Sequence, residues 1–498
     1  MSRIAVIGSG FSGLSAAAYL SAAGNEVDVF EKNQSPGGRA RQIKTKSGYV
    51  FDMGPSWYWM PDVFERFFND FGYSVNELYD LKQLDPGFDI VLANNQKLSI
   101  PKNQTRLCEL FESIEKGSAI QLKKFLKEAK YKYHTAMENL VNMPGLSVKE
   151  FANTNLVKGM LRLQVFSSFS KHVRKYFSSP ALIALMEFPV LFLGAMPSET
   201  PALYSLMNYA ALELGTWYPK GGFGKVIDGI VRVIGENGGR LHFNCSVQKI
   251  TVSGNKATGV IINGQKLNYD AVIASADYHY VEKELLPAAY RNYSDAYWQK
   301  KTFAPSCLIF YIGLNKKIKS INHHTLFFEE DFFQHSTEIY KDPQWPTKPL
   351  FYVCCPSQSD NTVAPEGHEN LFLLMPLAVG LEDNHSLRDK YFHLMIKRLE
   401  QYTGEDIINS IDYNQGYCIN DFIEDYHAYK GNAYGLANTL MQTAVLKPKL
   451  TNKKIRNLFY AGQLTVPGPG VPPALISGKI AAQQLLKHLK NKVNEAAF

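Results

Sequence analysis

Residues 4–32 read "IAVIGSGFSGLSAAAYLSAAGNEVDVFEK". A short apolar run, Ile4–Ile7, stops at Gly8, and Gly8, Gly10 and Gly13 fit the spacing G-x-G-x-x-G. An alanine-rich segment from about Gly13 to Ala23 follows, and then the alternating stretch "EVDVFE", which ends at Glu31. The pattern predicts strand, tight loop, helix, strand. Each part has work to do in a dinucleotide site. Gly8 makes the turn, Gly10 lets the backbone approach a pyrophosphate, and Gly13 lets the helix pack on the strand. The helix N-terminus offers free N–H groups and a partial positive charge to the phosphates. Glu31 can accept hydrogen bonds from both ribose hydroxyls and repels a 2′-phosphate. The three glycines alone carry little weight, but the strand before, the helix after and the acid at the end make the context that supports the reading. The opening apolar run also has the look of a signal peptide, and this fingerprint argues against that.

Outward from the fingerprint, "SPGGRA" (35–40) places Gly37, Gly38 and Arg39 just after the acidic strand. Backbone N–H groups and a guanidinium there suit a second phosphate contact. "GYVFDMGPSWYWMP" (48–61) follows, with Asp52, Gly54, Pro55 and Ser56 in a turn before three aromatics. Nicotinamide-binding folds usually continue with strand–helix alternation instead. Near the other end, "GQLTVPGPGVPPALISGKIAA" (462–482) crowds prolines and glycines ahead of a helix. Pro472 and Pro473 suit a first helical turn, and Val471, Leu475, Gly478, Ala482, Leu485 and Leu489 share one helical face. Between these ends, "GGRLHFNCSVQKITVSGNKATGVIINGQKLNYDAVIASAD" (238–277) reads as strands broken at "SGN" and "NGQ", and then an apolar strand that adds to the first sheet.

Composition narrows the classes. The chain has 498 residues, enough for two to four domain-sized units. Its net charge of +7 is spread over separate lysine-rich patches. None carries interleaved aromatics, so nucleic acid is not expected as a partner. Mild basicity suits an anionic membrane surface better. The six cysteines form no CxxC pair, which points to a reducing cytoplasm and away from a disulfide framework or a zinc site. His323 and His324 are expected on opposite sides of an extended chain, so no metal site is predicted.

The quoted segments resemble the flavoproteins that include amine oxidases, protoporphyrinogen oxidase and carotenoid desaturases. They are most similar to bacterial carotenoid desaturases of the phytoene desaturase type. "LYSLMNYAALELGTWYPKGGFGKVIDGI" (203–230), "PSQSDNTVAPEGHENLFLLMPL" (356–377) and "NLFYAGQLTVPGPGVPPALISGK" (457–479) carry the resemblance along nearly the whole chain. Two departures lie in the last segment: Gln463 stands where many of the superfamily have an acid, and "LTVPG" stands where many bacterial desaturases read "STHPG". The resemblance implies FAD, held by Gly8, Gly10, Gly13, Glu31, Gly38, Arg39, Gly54, Pro55, Val247, Gly470 and Val471. By periodicity alone Val247 is a core residue. The implied reaction is desaturation of a lipophilic carotenoid, phytoene towards lycopene, with oxygen or quinone as electron acceptor. Other readings are a desaturase or isomerase of a hydroxylated or cyclised carotenoid, a prenyl- or lipid-binding protein of the same fold, and an amine oxidase in which Trp57, Tyr58 and Trp59 cage the amine.

The fold class expected is α/β: a Rossmann-like FAD-binding domain, discontinuous over 1–84, 216–285 and 455–490, with an inserted mixed α+β substrate domain over 85–215 and 286–454, and a tail, 491–498. The first insertion reads as mostly helical. Leu122, Phe125, Leu126, Ala129, Tyr133 and Met137 line one helix face. "SSPALIALMEFPVLFLGAMPSE" (178–199) is the most apolar stretch, about 15 residues against the roughly 20 a spanning helix needs. It reads as a core helix, a cavity wall or an interfacial helix. A water-insoluble polyene must come from a bilayer, so the enzyme is expected to be cytoplasmic and bound to the inner face of the cell membrane. Glu150, in "LSVKEFA", is a candidate proton acceptor, set against the plainer reading of an exposed helix carboxylate.

Overall fold

The computed structural model describes residues 1–147, 163–165, 167–191 and 194–496. Glu150 lies outside the described residues. Five parallel strands form the first sheet, in the spatial order Leu458–Tyr460, Ala271–Ala274, Arg3–Ile7, Glu26–Phe30, Arg240–His242. They come from three stretches of sequence far apart in the chain. Ile4 pairs with Ala271 on one side and with Val27 on the other, so the glycine fingerprint starts from the sheet's centre. The first helix, Phe11–Ala22, is buried on nearly every residue, because two other helices cover it. Phe223–Glu236 packs on it, and the C-terminal helix Val471–Ala496 makes the most extensive helix–helix contact in the molecule with it. A three-stranded antiparallel meander, Val247–Ser253, Lys256–Ile262 and Gln265–Asn268, turns at the two sites the sequence marked.

The second sheet has seven strands, in the order Ile411–Tyr417, Ser306–Leu314, Glu369–Leu377, Phe351–Cys354, His324–Phe327, Phe88–Leu92, Gln96–Ile100. Side chains alternate between its faces. Leu308, Phe310, Phe351, Val353 and Leu373 pack under the helix His385–Thr403, through Met395, Ile396 and Leu399. Ile309, Tyr311, Tyr352, Cys354 and Leu374 face the other way, into a core shared with the helices of the first insertion. That insertion is not helical throughout, since its first part supplies the hairpin Phe88–Ile100. The helix Ser118–Asn139 buries all six residues expected on its inner face. In Pro180–Leu191, Leu182, Leu185, Met186, Phe188 and Val190 are buried. Among the described residues no helix is long and apolar enough to cross a membrane.

His323 and His324 correct the sequence reading. Only His324 belongs to the strand His324–Phe327, and His323 still lies in the loop that enters it. Strand alternation therefore does not separate them. Their rings meet edge to face, with centroids 4.4 Å apart.

Candidate active site

One cavity of about 380 Å³ runs from the C-terminal ends of the parallel strands to the inner face of the seven-stranded sheet. Gly8, Gly10, Glu31, Gly38, Arg39, Gly54, Pro55, Val247, Gly470 and Val471 all line it. Gly13 does not, because it works one layer back. A Cβ there would stand 2.0 Å from the Gly8 carbonyl oxygen, so the helix reaches the loop only because residue 13 has no side chain. No side chain caps that helix at Gly10, and its first N–H groups stand at the cavity wall.

Glu31 is 5% exposed, and its carboxylate already accepts four hydrogen bonds. Oε2 takes the Ser9 N–H (3.0 Å) and the Ser9 hydroxyl (2.7 Å), and Oε1 takes the Asn33 backbone N–H and Nδ2 (both 2.9 Å). The acid thus braces the glycine loop as well as lining the cavity. Arg39 is held from two sides. It donates to the Asn432 carbonyl at 3.0 Å, and its guanidinium lies 4.9 Å over the Tyr426 ring. Its Nε is buried with no hydrogen-bond partner among the described residues. A buried guanidinium with a free N–H on the wall of a cavity fits a phosphate oxygen. Val247 is both things the sequence offered, a 4% exposed core side chain and part of the cavity wall. Residues 421–435, "DFIEDYHAYKGNAYG", add Asp425, Tyr426 and Tyr434 to the lining. They were missed from sequence, where only a local density of acids and tyrosines marks them. Asp425 anchors this segment by pairing with Arg41 at 2.5 Å. Asp277, also unforeseen, caps the turn at Tyr280. Burial raises its pKa to about 6, against the Tyr280 N–H and Arg39, which pull it down.

The charged lining residues, Glu31, Lys32, Arg39, Asp277 and Asp425, all sit beside the glycine loops. The far wall is uncharged. It is built from Trp57, Trp59, Met60, Pro189 and Met207, with Ile309, Tyr352 and Leu374 from the seven-stranded sheet. Trp59 is fixed by its indole N–H on Thr216 Oγ1 at 2.9 Å. Tyr58 is not part of any aromatic cage, because it turns into the core, stacks on Phe64 and bonds to the Tyr79 hydroxyl. Gln463 Nε2 donates to Asn432 Oδ1 at 3.0 Å, which ties the C-terminal loop to the segment that holds Arg39. Such a cavity can hold an extended dinucleotide along its polar half and an apolar molecule against its far end.

Residues 11–486 match the family model described as "Flavin containing amine oxidoreductase". The chain belongs to that family. It is therefore an FAD-dependent oxidoreductase, and the residues described above fit FAD: an uncapped helix N-terminus and the unpartnered Nε–H of Arg39 for the phosphates, with Glu31 on the cavity wall at the end of the second strand. Its sequence relatives include carotenoid desaturases. It is 37% identical to a carotenoid 3,4-desaturase from Haloarcula japonica over 98% of both chains. It is 30% identical to a 4,4'-diapophytoene desaturase of Staphylococcus haemolyticus over 98% of this chain and 99% of the relative. The crystal structure of an oxidoreductase from Methanosarcina mazei has the same fold, with a TM-score of 0.62 at 17% identity, covering 97% of this chain and 100% of that one.

Proposed function

We propose that this protein desaturates a carotenoid polyene, acting on phytoene towards lycopene. The observation that carries the proposal is the uncharged aromatic and aliphatic far wall, continuous with a polar cradle for FAD. Bound FAD supplies a two-electron hydride acceptor, so the hard chemistry is the cofactor's. The chain's own residues hold an apolar substrate and keep water from it. Trp57, Trp59 and Met207 offer contact surface and no ionised group, which suits a hydrocarbon. The substrate reaches the cavity from a bilayer in this reading, with the enzyme on the inner face of the cell membrane and oxygen or quinone as final acceptor.

A second reading, 3,4-desaturation near the end of an already conjugated polyene, is supported by the higher identity to the Haloarcula japonica enzyme. Expression in cells that make phytoene, and separately in cells that make lycopene, distinguishes the two. Conversion of phytoene to coloured products supports the first. Unchanged phytoene beside a red-shifted product from lycopene supports the second. No new chromophore in either host rules out both.

A further inference from the structure

Behind the Trp57 wall the fold brings together three side chains that the flavin chemistry does not use. We propose that His323, His324 and Cys354 form a buried site for one zinc-class divalent ion. His324 and Cys354 are directly opposite each other on adjacent antiparallel strands, and His323 closes the group from the entering loop. One ring nitrogen of each histidine and the Cys354 Sγ lie within 4.8 Å of one another. All three residues are at most 4% exposed.

The nitrogens are arranged as in metal-binding histidines. His324 Nδ1 is hydrogen-bonded to the Tyr352 hydroxyl at 2.6 Å, and His323 Nδ1 to the Ser359 hydroxyl. These bonds fix ring orientation, as outer partners do around a bound ion. Both Nε2 atoms are buried with no hydrogen-bond partner among the described residues. Two unsatisfied buried ring nitrogens in one cluster are costly unless something occupies them. Two imidazoles and a thiolate suit zinc, with a fourth position left for water. Zinc bonds of about 2.0–2.3 Å place ligand atoms roughly 3.5 Å apart, so the group needs to close by about 1 Å. Cys354 gives its S–H proton to solvent as the metal–sulfur bond forms. The ion would lock the start of one strand to the end of the next. It would also fix the ring on which Trp57 stacks, at 4.1 Å and nearly parallel, and so set one wall of the cavity.

The test is to strip the full-length flavoprotein with chelator and titrate it with cobalt(II) chloride, following tetrahedral d–d bands to the red of the flavin spectrum. One equivalent is expected to bind, and zinc to displace it. Cys354→Ser should weaken cobalt binding more than about 100-fold, and Ser359→Ala by about 10–100-fold. Cys108→Ser, which alters a thiol outside the cluster, should bind as wild type. Circular dichroism and flavin content establish that each variant is folded. Absence of saturable binding by folded wild-type protein overturns the proposal. So does wild-type affinity in folded Cys354→Ser.

Discussion

Two residues near the cofactor end carry opposite lessons about backbone and charge. Gly470 sits at φ +109°, and a Cβ there would press on Pro473 Cδ at 3.3 Å. Gly470→Val has to abandon a conformation that a β-branched residue does not adopt, just where the loop forms the cavity wall. The variant should keep its far-ultraviolet circular dichroism and lose its flavin on gel filtration. Co-elution of flavin at the wild-type ratio would break the assignment of this loop to the cofactor. Lys447 is a buried amine with no hydrogen-bond partner among the described residues. Burial draws its pKa from 10.5 to about 7, with Lys301 acting in the same direction. Between those values the unfolded chain holds a proton that the folded chain does not, so stability rises with pH from about 7 to 10.5. Below pH 7 the folded state carries the full cost of a buried charge, at most roughly 4–5 kcal/mol. Lys447→Met should therefore raise the melting temperature at pH 6–7 and flatten its rise towards pH 10. An unchanged pH profile would show that the amine reaches solvent.

At the scale of elements, the two ends of the chain form one structure through helix contact. Ser15 donates its hydroxyl to the Leu475 carbonyl at 2.7 Å, and a Cβ on Gly478 would lie 2.2 Å from the Ser12 carbonyl oxygen. The helices Phe11–Ala22 and Val471–Ala496 thus meet backbone to backbone. Gly478→Val should push them apart, cost about 1–3 kcal/mol as an overpacked core site, and weaken flavin binding, because residues 8–12 and 462–474 then no longer face each other at the correct spacing. Thermal melts and flavin titration measure the two effects, and an unchanged melt would refute the contact. Much of this was legible in the sequence, because glycine spacing and helical periodicity are local signals. The fingerprint, the two hairpin turns, the six-residue inner face of Ser118–Asn139 and the helix after Pro472 all follow from residues near one another. The hairpin Phe88–Ile100 was not legible, because its place in a mixed sheet depends on pairing with His324–Phe327, more than 200 residues away. The histidine pair departs from alternation for a related reason: the strand begins at His324, so its period does not reach His323.

For the molecule as a whole, the cavity has no wall that belongs to a single stretch of chain. Residues 8–12, 245–247, 275–278, 425–427, 461–465 and 469–474 all border its polar half, and the seven-stranded sheet closes its far end. The Tyr311 hydroxyl donates from that sheet to the carbonyl of Met53, which lines the cavity, at 2.7 Å. A ligand that fills such a space touches segments that part company when the chain unfolds, and it binds the folded state alone. FAD at 100 times its dissociation constant should then add about 2.7 kcal/mol to stability, which for a chain larger than 250 residues amounts to a rise of at most about 2–4 °C per kcal/mol. Melting the stripped protein over a series of FAD concentrations should give a midpoint that climbs with the logarithm of concentration. The same series on Gly470→Val should stay flat. Adenosine diphosphate, which can fill only the polar half, should give a smaller rise in wild type and leave the far wall open. If it matched FAD, the flavin ring would make no contact with the C-terminal loop, and the polar and apolar halves of the cavity would not be parts of one site.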